Sequence, residues 1–115
     1  MNFVMRIIVT SIVAFGLSYL LGGIHLDDFW AAILLALVLA FLNAIVKPLL
    51  IFITLPITFV TLGLFLFVIN AIIILFADNL IEGFTVDGFW WALLFSLLLS
   101  IVSSLLYKED KKSNR

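Results

Sequence analysis

The sequence predicts an all-α integral membrane protein with four transmembrane helices, arranged as two tandem helical hairpins. Of its 115 residues, 66% are hydrophobic and 11% are charged, whereas a soluble domain has about 45–50% apolar and about 25% charged residues. The charges fall almost wholly between four apolar stretches. These stretches lack the alternation of barrel strands, so helices are expected to satisfy their backbone hydrogen bonds in lipid.

An internal repeat defines the two hairpins. Shifting the chain by 60 residues places Gly23 to Lys47 on Gly83 to Tyr107 without a gap. Both segments begin with the pattern Gly-x3-Asp-x-Phe-Trp-x-Ala, which is rarely met by chance. Each hairpin has an even number of spans, so both copies enter the membrane in the same direction. This parallel repeat is expected to have a pseudo-twofold axis along the membrane normal.

Four apolar stretches are the candidate spans, because a helix needs about 20 apolar residues to cross a hydrocarbon core of about 30 Å. They are residues 7–24, 29–46, 57–80 and 89–106, within a membrane domain of residues 1–107 that precedes a charged tail of residues 108–115. The first stretch follows Arg6 as in a signal peptide. No Ala-x-Ala cleavage site follows it, so an uncleaved span is expected.

The distribution of charges predicts the orientation, since Lys and Arg are retained on the cytoplasmic side. All six basic residues lie on one side of a four-span path: Arg6, Lys47, Lys108, Lys111, Lys112 and Arg115. The charged residues of the opposite loops are all acidic: Asp27, Asp28, Asp78, Glu82 and Asp87. Both termini are therefore predicted to lie in the cytoplasm, in a bacterial inner membrane.

Columns of small residues predict where helices pack closely. In the second span the column is Ala32, Ala36, Ala40 and Ala44, and in the fourth it is Ala92, Ser96, Ser100 and Ser104. The first span has a similar column: Thr10, Ala14, Ser18 and Gly22. Residues four apart share one helix face, where small side chains let a neighbouring backbone approach. Such columns could serve contacts within one molecule or between molecules.

The centre of the chain is interrupted by two prolines. Pro48 disfavours helix at Lys47 and is expected to end the second span there. Residues 49–55 would extend about 10 Å as helix, which is too short to cross the membrane. We interpret residues 48–56 as an interfacial elbow on the cytoplasmic side. The rival interpretation is a third helix that runs from residue 49 and is kinked at Pro56.

Three polar residues within the spans have alternative interpretations. Lys47 at a helix end is either a snorkelling anchor or a group for gating or for a lipid headgroup. Asn43 lies one turn earlier on the same face. Asn70 near the middle of the third span is interpreted as a device that fixes helix register, with a polar pore contact as the alternative. Its expected hydrogen-bond partners are Ser18, Tyr19 and Ser96, and not Asn43.

Catalytic chemistry is not expected. The chain has no cysteine, no Ser/His/Asp arrangement for nucleophilic catalysis and no Gly-rich phosphate loop. His25 lies beside Asp27 and Asp28, but a short flexible loop is a poor metal cage, and a solvated turn is the preferred interpretation. No cofactor, metal, nucleic acid or small-molecule substrate is expected, and the expected partner is membrane lipid. The absence of an ionised residue at a span centre argues against a proton-coupled transporter.

The central motifs carry a resemblance to a known family. They are Asn43-x3-Lys47-Pro48, Leu55-Pro56, Thr61-Leu62-Gly63 and Asn70-Ala71. With this set the chain resembles the four-span holin-like family of bacterial membrane proteins, the phage holin superfamily IV type. The family name implies phage lysis, in which a small protein oligomerises in the inner membrane and opens lesions for a lytic enzyme. Many chromosomal members carry the name without an evident lysis role.

Three functions are consistent with the sequence, and none is enzymatic. The first is a holin-like protein that forms homo-oligomers and permeabilises the membrane. The second is a resident structural or envelope-maintenance protein, which uses the small-residue columns to close its own helix bundle. The third is a small transporter or channel whose path is lined by Asn70 and by serines of the fourth span.

Overall fold

The computed structural model describes the backbone of residues 2–113 and the side chains of residues 2–108. The elements in chain order are α1 (Phe3–Leu20), β1 (Ile24–Leu26), α2 (Phe29–Ile53), α3 (Leu55–Val60), α4 (Phe65–Leu80), β2 (Phe84–Val86) and α5 (Phe89–Ser113). Within this described part, α1, α2 and the first 20 residues of α5 are long and apolar enough to cross a membrane, and α4 is a shorter apolar helix.

Helices α1, α2, α4 and α5 form a ring, which we call the helix ring. Helix α1 packs against α2 and α5, and α4 packs against the same two helices. Over the described residues there is no backbone contact between α1 and α4 or between α2 and α5, so these pairs stand across the ring from each other. The core inside the ring is apolar and includes Ala14, Leu35, Ile69 and Phe95.

Two short strands join the loops at one end of the helix ring, which we call the ladder end. Strands β1 and β2 pair antiparallel, with Ile24 opposite Val86, His25 opposite Thr85 and Leu26 opposite Phe84. Backbone hydrogen bonds flank the pairing on both sides, from Asp27 N–H to the Gly83 carbonyl (2.9 Å) and from Asp87 N–H to the Gly23 carbonyl (2.8 Å). The strands were not predicted, because three residues are too few to show an alternation.

Element boundaries in the two halves differ by a constant number of residues. Helices α1 and α4 end at Leu20 and Leu80, and helices α2 and α5 begin at Phe29 and Phe89. Each pair is separated by 60 residues, as are β1 and β2. The first predicted span, residues 7–24, is nevertheless shifted, because α1 begins at Phe3 and ends before the strand.

Helix α2 does not end at Lys47 as expected. It continues through Pro48 to Ile53, because Val46, Leu50 and Ile51 pack against the core. This packing outweighs the local preference of a residue before proline for extended backbone. Residues 48–53 therefore belong to the second helix. Neither an elbow beginning at residue 48 nor a third helix beginning at residue 49 describes them correctly.

The third predicted span, residues 57–80, is not one helix. Helix α3 carries Pro56 in its first turn, where the missing N–H costs little, and residues 61–64 then form a turn. Leu62 and Gly63 adopt φ values of 56° and 87°, which a regular right-handed helix excludes. The Thr61 hydroxyl oxygen accepts a hydrogen bond of 3.2 Å from the Phe65 N–H at the start of α4.

Helix α5 extends past the predicted fourth span, residues 89–106. It continues to Ser113, so the backbone of the expected charged tail, residues 108–115, is helical up to that residue. Lys108 and the earlier basic residues Arg6 and Lys47 lie at the end of the helix ring where α1 begins, which we call the termini end. The side chains of Lys111, Lys112 and Arg115, which also entered the orientation argument, lie outside the described residues.

Candidate functional site

A cavity of about 530 Å³ lies inside the helix ring at the termini end, between α1, α2 and α5. We call it the polar cavity, because six hydrogen-bonding side chains besides Tyr107 line it: Arg6, Thr10, Asn43, Ser100, Ser103 and Ser104. The cavity exists because the small-residue columns of α2 and α5 face each other here without touching. Helices α2 and α5 stand across the ring, and their small side chains do not fill the space between them.

Tyr107 organises one wall of the polar cavity. Its hydroxyl shares a hydrogen bond of 2.7 Å with the Thr10 hydroxyl. The Arg6 guanidinium carbon lies 4.9 Å from the centroid of the Tyr107 ring, within the range of a cation–π interaction. Tyr107 therefore holds a positive charge at the wall of the cavity.

Ser103 has a buried hydroxyl without a hydrogen-bond partner in the described part of the chain. Its side chain is 6% exposed and lines the polar cavity. Serine in a helix commonly donates to a carbonyl of the preceding turn, as Ser96 does to the Leu93 carbonyl at 2.9 Å. A buried hydroxyl that makes no such bond is costly. Ser103 thus places an unsatisfied buried hydroxyl in the wall of the polar cavity.

A smaller cavity of about 60 Å³ lies beside the first, between α2, α4 and α5. Its polar lining is Asn43, Lys47, Asn70, Ser96 and Ser100. All five positions are 60 residues away from lining residues of the polar cavity. The pairs are Asn43 and Ser103, Lys47 and Tyr107, Asn70 and Thr10, Ser96 and Ala36, and Ser100 and Ala40. Corresponding positions of the two hairpins therefore build both polar walls.

A groove of about 420 Å³ adjoins these cavities, and we call it the apolar groove because most of its walls are apolar. Its walls are Pro48, Ile51, Phe52 and Leu55, together with Asn43 and Lys47. Asn43 lines all three spaces, and Lys47 lines the groove and the small cavity. The motif residues Asn43, Lys47, Pro48 and Leu55 therefore surround the junction between a polar and an apolar space.

The small-residue columns divide into a buried and a cavity-lining half. Near the ladder end, Ala32, Ala36, Ala92 and Ser96 are buried, as close packing requires, and Ala36 and Ser96 also reach the walls of the polar cavity and the small cavity, respectively. Toward the termini end, Ala40, Ala44, Ser100 and Ser104 line the polar cavity. These four differ from the expected helix-packing role, because the facing helix stands across the ring. Gly22, expected in the column of the first span, lies beyond the end of α1 and is exposed.

Asn70 does not meet two of its three expected partners. Ser18 and Tyr19 lie on α1, which does not contact α4 in the described structure. The Ser18 hydroxyl instead donates to the Phe15 carbonyl at 2.6 Å, and Tyr19 is exposed. Of the three expected partners, only Ser96 lines a cavity together with Asn70. Asn43 lines the same cavity, although it was not expected as a partner.

His25 contacts the other hairpin at the ladder end. Its Nε2 lies 3.1 Å from an Asp87 carboxylate oxygen, whereas Asp28 caps α2 by accepting the Ala31 N–H at 2.8 Å. No group of three possible metal ligands forms within the described residues. The sequence did not reveal the contact with Asp87, because the two residues are 62 positions apart and only the strand pairing joins their loops.

The ladder end of the helix ring is filled by apolar side chains. Ile24, Phe84 and Phe95 are each at most 1% exposed, and the Phe84 and Phe95 ring centroids lie 5.9 Å apart. Gly23 packs directly against the Trp91 ring. The polar cavity is therefore separated from the ladder end by a packed apolar layer.

Tyr107 was not predicted as a site residue, and Ser103 was considered only as one of the fourth-span serines that could line a channel. The internal repeat was the signal that could have found them, since they correspond to Asn43 and Lys47. It was weak at these positions, because neither residue type is the same in the two copies. Only the cavity shows that corresponding positions line neighbouring polar spaces.

Apolar helices arranged around an internal polar cavity define the class of this molecule as a multi-pass helical membrane protein. The chain belongs to the family described as mycobacterial 4 TMS phage holin, superfamily IV, which it matches over residues 1–105. The resemblance found in the central motifs is thereby confirmed.

Two bacterial proteins are similar to most of the chain. The uncharacterized membrane protein YvlD of Bacillus subtilis is 42% identical over 103 residues, which cover 89% of this chain and 87% of that protein. The uncharacterized protein SCO3922 of Streptomyces coelicolor is 43% identical over 88 residues, covering 73% of this chain and 70% of its own. No solved structure matches the chain.

Proposed function

We propose that the protein is a resident, non-enzymatic protein of the bacterial cytoplasmic membrane that binds a ligand in the polar cavity. In this proposal it closes its own four-helix bundle and opens no lesions. The observation that carries the proposal is the direction of the small-residue columns. The half of the columns nearer the ladder end (Ala32, Ala36, Ala92 and Ser96) is buried within the chain, so it is not offered to a second molecule. Ala40, Ser100 and Ser104 line the polar cavity.

The orientation in the proposal has both termini in the cytoplasm. Arg6, Lys47 and Lys108 lie at the termini end, and basic residues are retained on the cytoplasmic side. The acidic residues Asp27 and Asp87 lie in the loops of the ladder end. The polar cavity would then face the cytoplasm, and the packed apolar layer would face outward.

The parallel internal repeat belongs to the same proposal. The constant separation of 60 residues between corresponding element boundaries supports it. The strand register supports it as well. Ile24 corresponds to Phe84 and Val86 to Leu26 at the offset of 60, and Ile24 pairs with Val86 as Phe84 pairs with Leu26. A pseudo-twofold axis between His25 and Thr85 would relate the two hairpins.

Lesion formation by homo-oligomers is the second candidate, favoured by the description of the family as phage holins. It requires a surface on which copies assemble. The outward-facing residues near the termini end are bulky, and they include Phe52, Phe59, Val60 and Leu62, each more than 70% exposed. Such side chains suit contact with lipid better than the close helix contacts that small residues allow.

The test of the proposal is the membrane potential of a bacterial host during induced expression. We expect steady growth and an intact potential at high membrane levels, because the helix ring is closed by its own packing. A lesion-forming holin at the same membrane level serves as the positive control. Crosslinking in native membranes should give a monomer or a fixed dimer. A sudden collapse of potential together with a ladder of large oligomers would overturn the proposal.

A further inference from the structure

Positive charge dominates the three neighbouring spaces at the termini end, which share Asn43 in their linings. Arg6 lines the polar cavity, and Lys47 lines both the small cavity and the apolar groove. Among the side chains that the structure describes, no carboxylate lines any of the three. Arg6 is exposed at the edge of the polar cavity and Lys47 is half-buried, and the attraction of Lys47 for an anion is strengthened where water is partly excluded. The charge therefore favours an anionic ligand.

The hydrogen-bonding groups around the polar cavity fit an oxyanion. The Ser103 hydroxyl is buried, has no partner in the described chain and lines the space that Arg6 also lines. A guanidinium can donate two parallel hydrogen bonds to a phosphate, and hydroxyl and amide groups such as those of Ser100 and Asn43 can donate to its remaining oxygens. A phosphate group in the cavity would give the buried Ser103 hydroxyl an acceptor once the side chain rotates toward it.

The apolar groove points to a ligand that is more than a phosphate. Asn43 and Lys47 mark the boundary at which the polar lining passes into Pro48, Ile51 and Phe52. A free phosphate ion gains nothing from an apolar wall, whereas an acyl chain buries its methylene groups there. A phospholipid joins both chemistries in one molecule. The juxtaposition of charge, unpaired hydroxyl and groove therefore matches a lipid with an anionic headgroup.

We propose that the polar cavity and the apolar groove together bind one anionic phospholipid of the cytoplasmic leaflet. Its phosphate lies between Arg6 and Ser103, and an acyl chain leaves past Lys47 along the groove. This inference rests on the proposed function, because it assigns a ligand class to the same polar cavity, which that proposal opens only toward the cytoplasm. It makes the protein a specific binder of anionic phospholipid.

The test uses the full chain, purified in a neutral detergent and studied by native mass spectrometry. Phosphatidylglycerol, phosphatidylcholine, inorganic phosphate and glycerol phosphate are added separately. We expect one phosphatidylglycerol per chain, retained at least about tenfold better than phosphatidylcholine. Both lipids carry a phosphate, but the choline cation of phosphatidylcholine would stand beside Arg6 and Lys47 and offset the attraction of its phosphate. Neither soluble phosphate should displace phosphatidylglycerol at equal concentration, because neither can occupy the groove.

Variants locate the binding. Arg6→Gln and Ser103→Ala are each expected to weaken phosphatidylglycerol binding by about tenfold or more. Lys108→Gln is the matched control, because it removes a positive charge from the same end of the chain at a residue outside the lining of all three spaces. The melting temperature of each variant without lipid is measured first. Ser103→Ala leaves the backbone and volume almost unchanged, so it reports on binding even where Arg6→Gln does not fold.

Equal retention of phosphatidylcholine and phosphatidylglycerol by the wild-type protein would overturn the inference without any variant. Equal weakening by Arg6→Gln and Lys108→Gln would also overturn it, since the charges would then act only as a surface field. Displacement by glycerol phosphate would assign the cavity to a soluble phosphate instead. In these cases an intact membrane potential on expression would leave the resident, non-lytic function standing. The two proposals can therefore fail separately.

Discussion

Gly23→Ala is expected to lower the free energy of unfolding by about 1–3 kcal/mol, the usual cost of overpacking. A Cβ at this position would overlap the Trp91 indole ring. The backbone cannot easily move away, because the Gly23 carbonyl accepts the Asp87 N–H across the ladder at 2.8 Å. Reversible unfolding in lipid bicelles measures the change.

The neighbouring glycine supplies the matched control for this prediction. A Cβ at Gly22 has no atom within 4 Å, so Gly22→Ala should change stability by less than about 0.5 kcal/mol. Adding Trp91→Ala to the Gly23→Ala variant should recover part of the loss, which a double-mutant cycle would measure as coupling. Equal effects of the two glycine substitutions would show that the contact between Gly23 and Trp91 does not matter for stability.

Phe84→Ala is expected to cost about 3–5 kcal/mol, the range for removing a buried aromatic side chain. Phe84 is 1% exposed and packs against Phe95 with ring centroids 5.9 Å apart. The strand pairing of β2 fixes its backbone, so the surrounding side chains can collapse only partly into the space left behind. The same unfolding experiment in bicelles gives the magnitude.

Phe59→Ala is the control for the aromatic substitution, because Phe59 is 84% exposed on α3. Its loss removes contact with lipid but leaves no internal cavity, so the expected change is below about 0.5 kcal/mol. A Phe84→Ala variant as stable as Phe59→Ala would contradict the packed apolar layer at the ladder end. Without that layer, the separation of the polar cavity from this end would have no structural basis.

The sequence predicted a helix boundary correctly where a polar loop changes sharply into an apolar run. The starts predicted at Phe29 and Phe89 agree with α2 and α5, because an acidic or glycine-containing loop meets an apolar run there. The prediction that Pro48 ends the second helix was wrong. A proline preference is local and worth a few kcal/mol at most, and the packing of Leu50 and Ile51 on the core is a tertiary effect that the sequence does not display.

The candidate site could be predicted only in part. The motif residues Asn43, Lys47 and Asn70 were found from the sequence, and all three line the small cavity between α2, α4 and α5. The cavity itself was not found, because small-residue columns predict close packing unless the facing helix is known to stand across the ring. The contact of His25 with Asp87 was missed for a similar reason, since it depends on two loops that meet only in the folded chain.

The polar cavity is expected to open to the cytoplasm and to be closed toward the outside. The chain has no cysteine, so single-cysteine variants can be labelled without background. We would introduce Ser104→Cys in the cavity and Thr85→Cys in the ladder, and apply a membrane-impermeant maleimide to intact cells and to inverted vesicles. Ser104→Cys should be labelled only in inverted vesicles, and Thr85→Cys only in intact cells. Labelling of Ser104→Cys in intact cells would contradict the account, because the cavity would then be reached from outside.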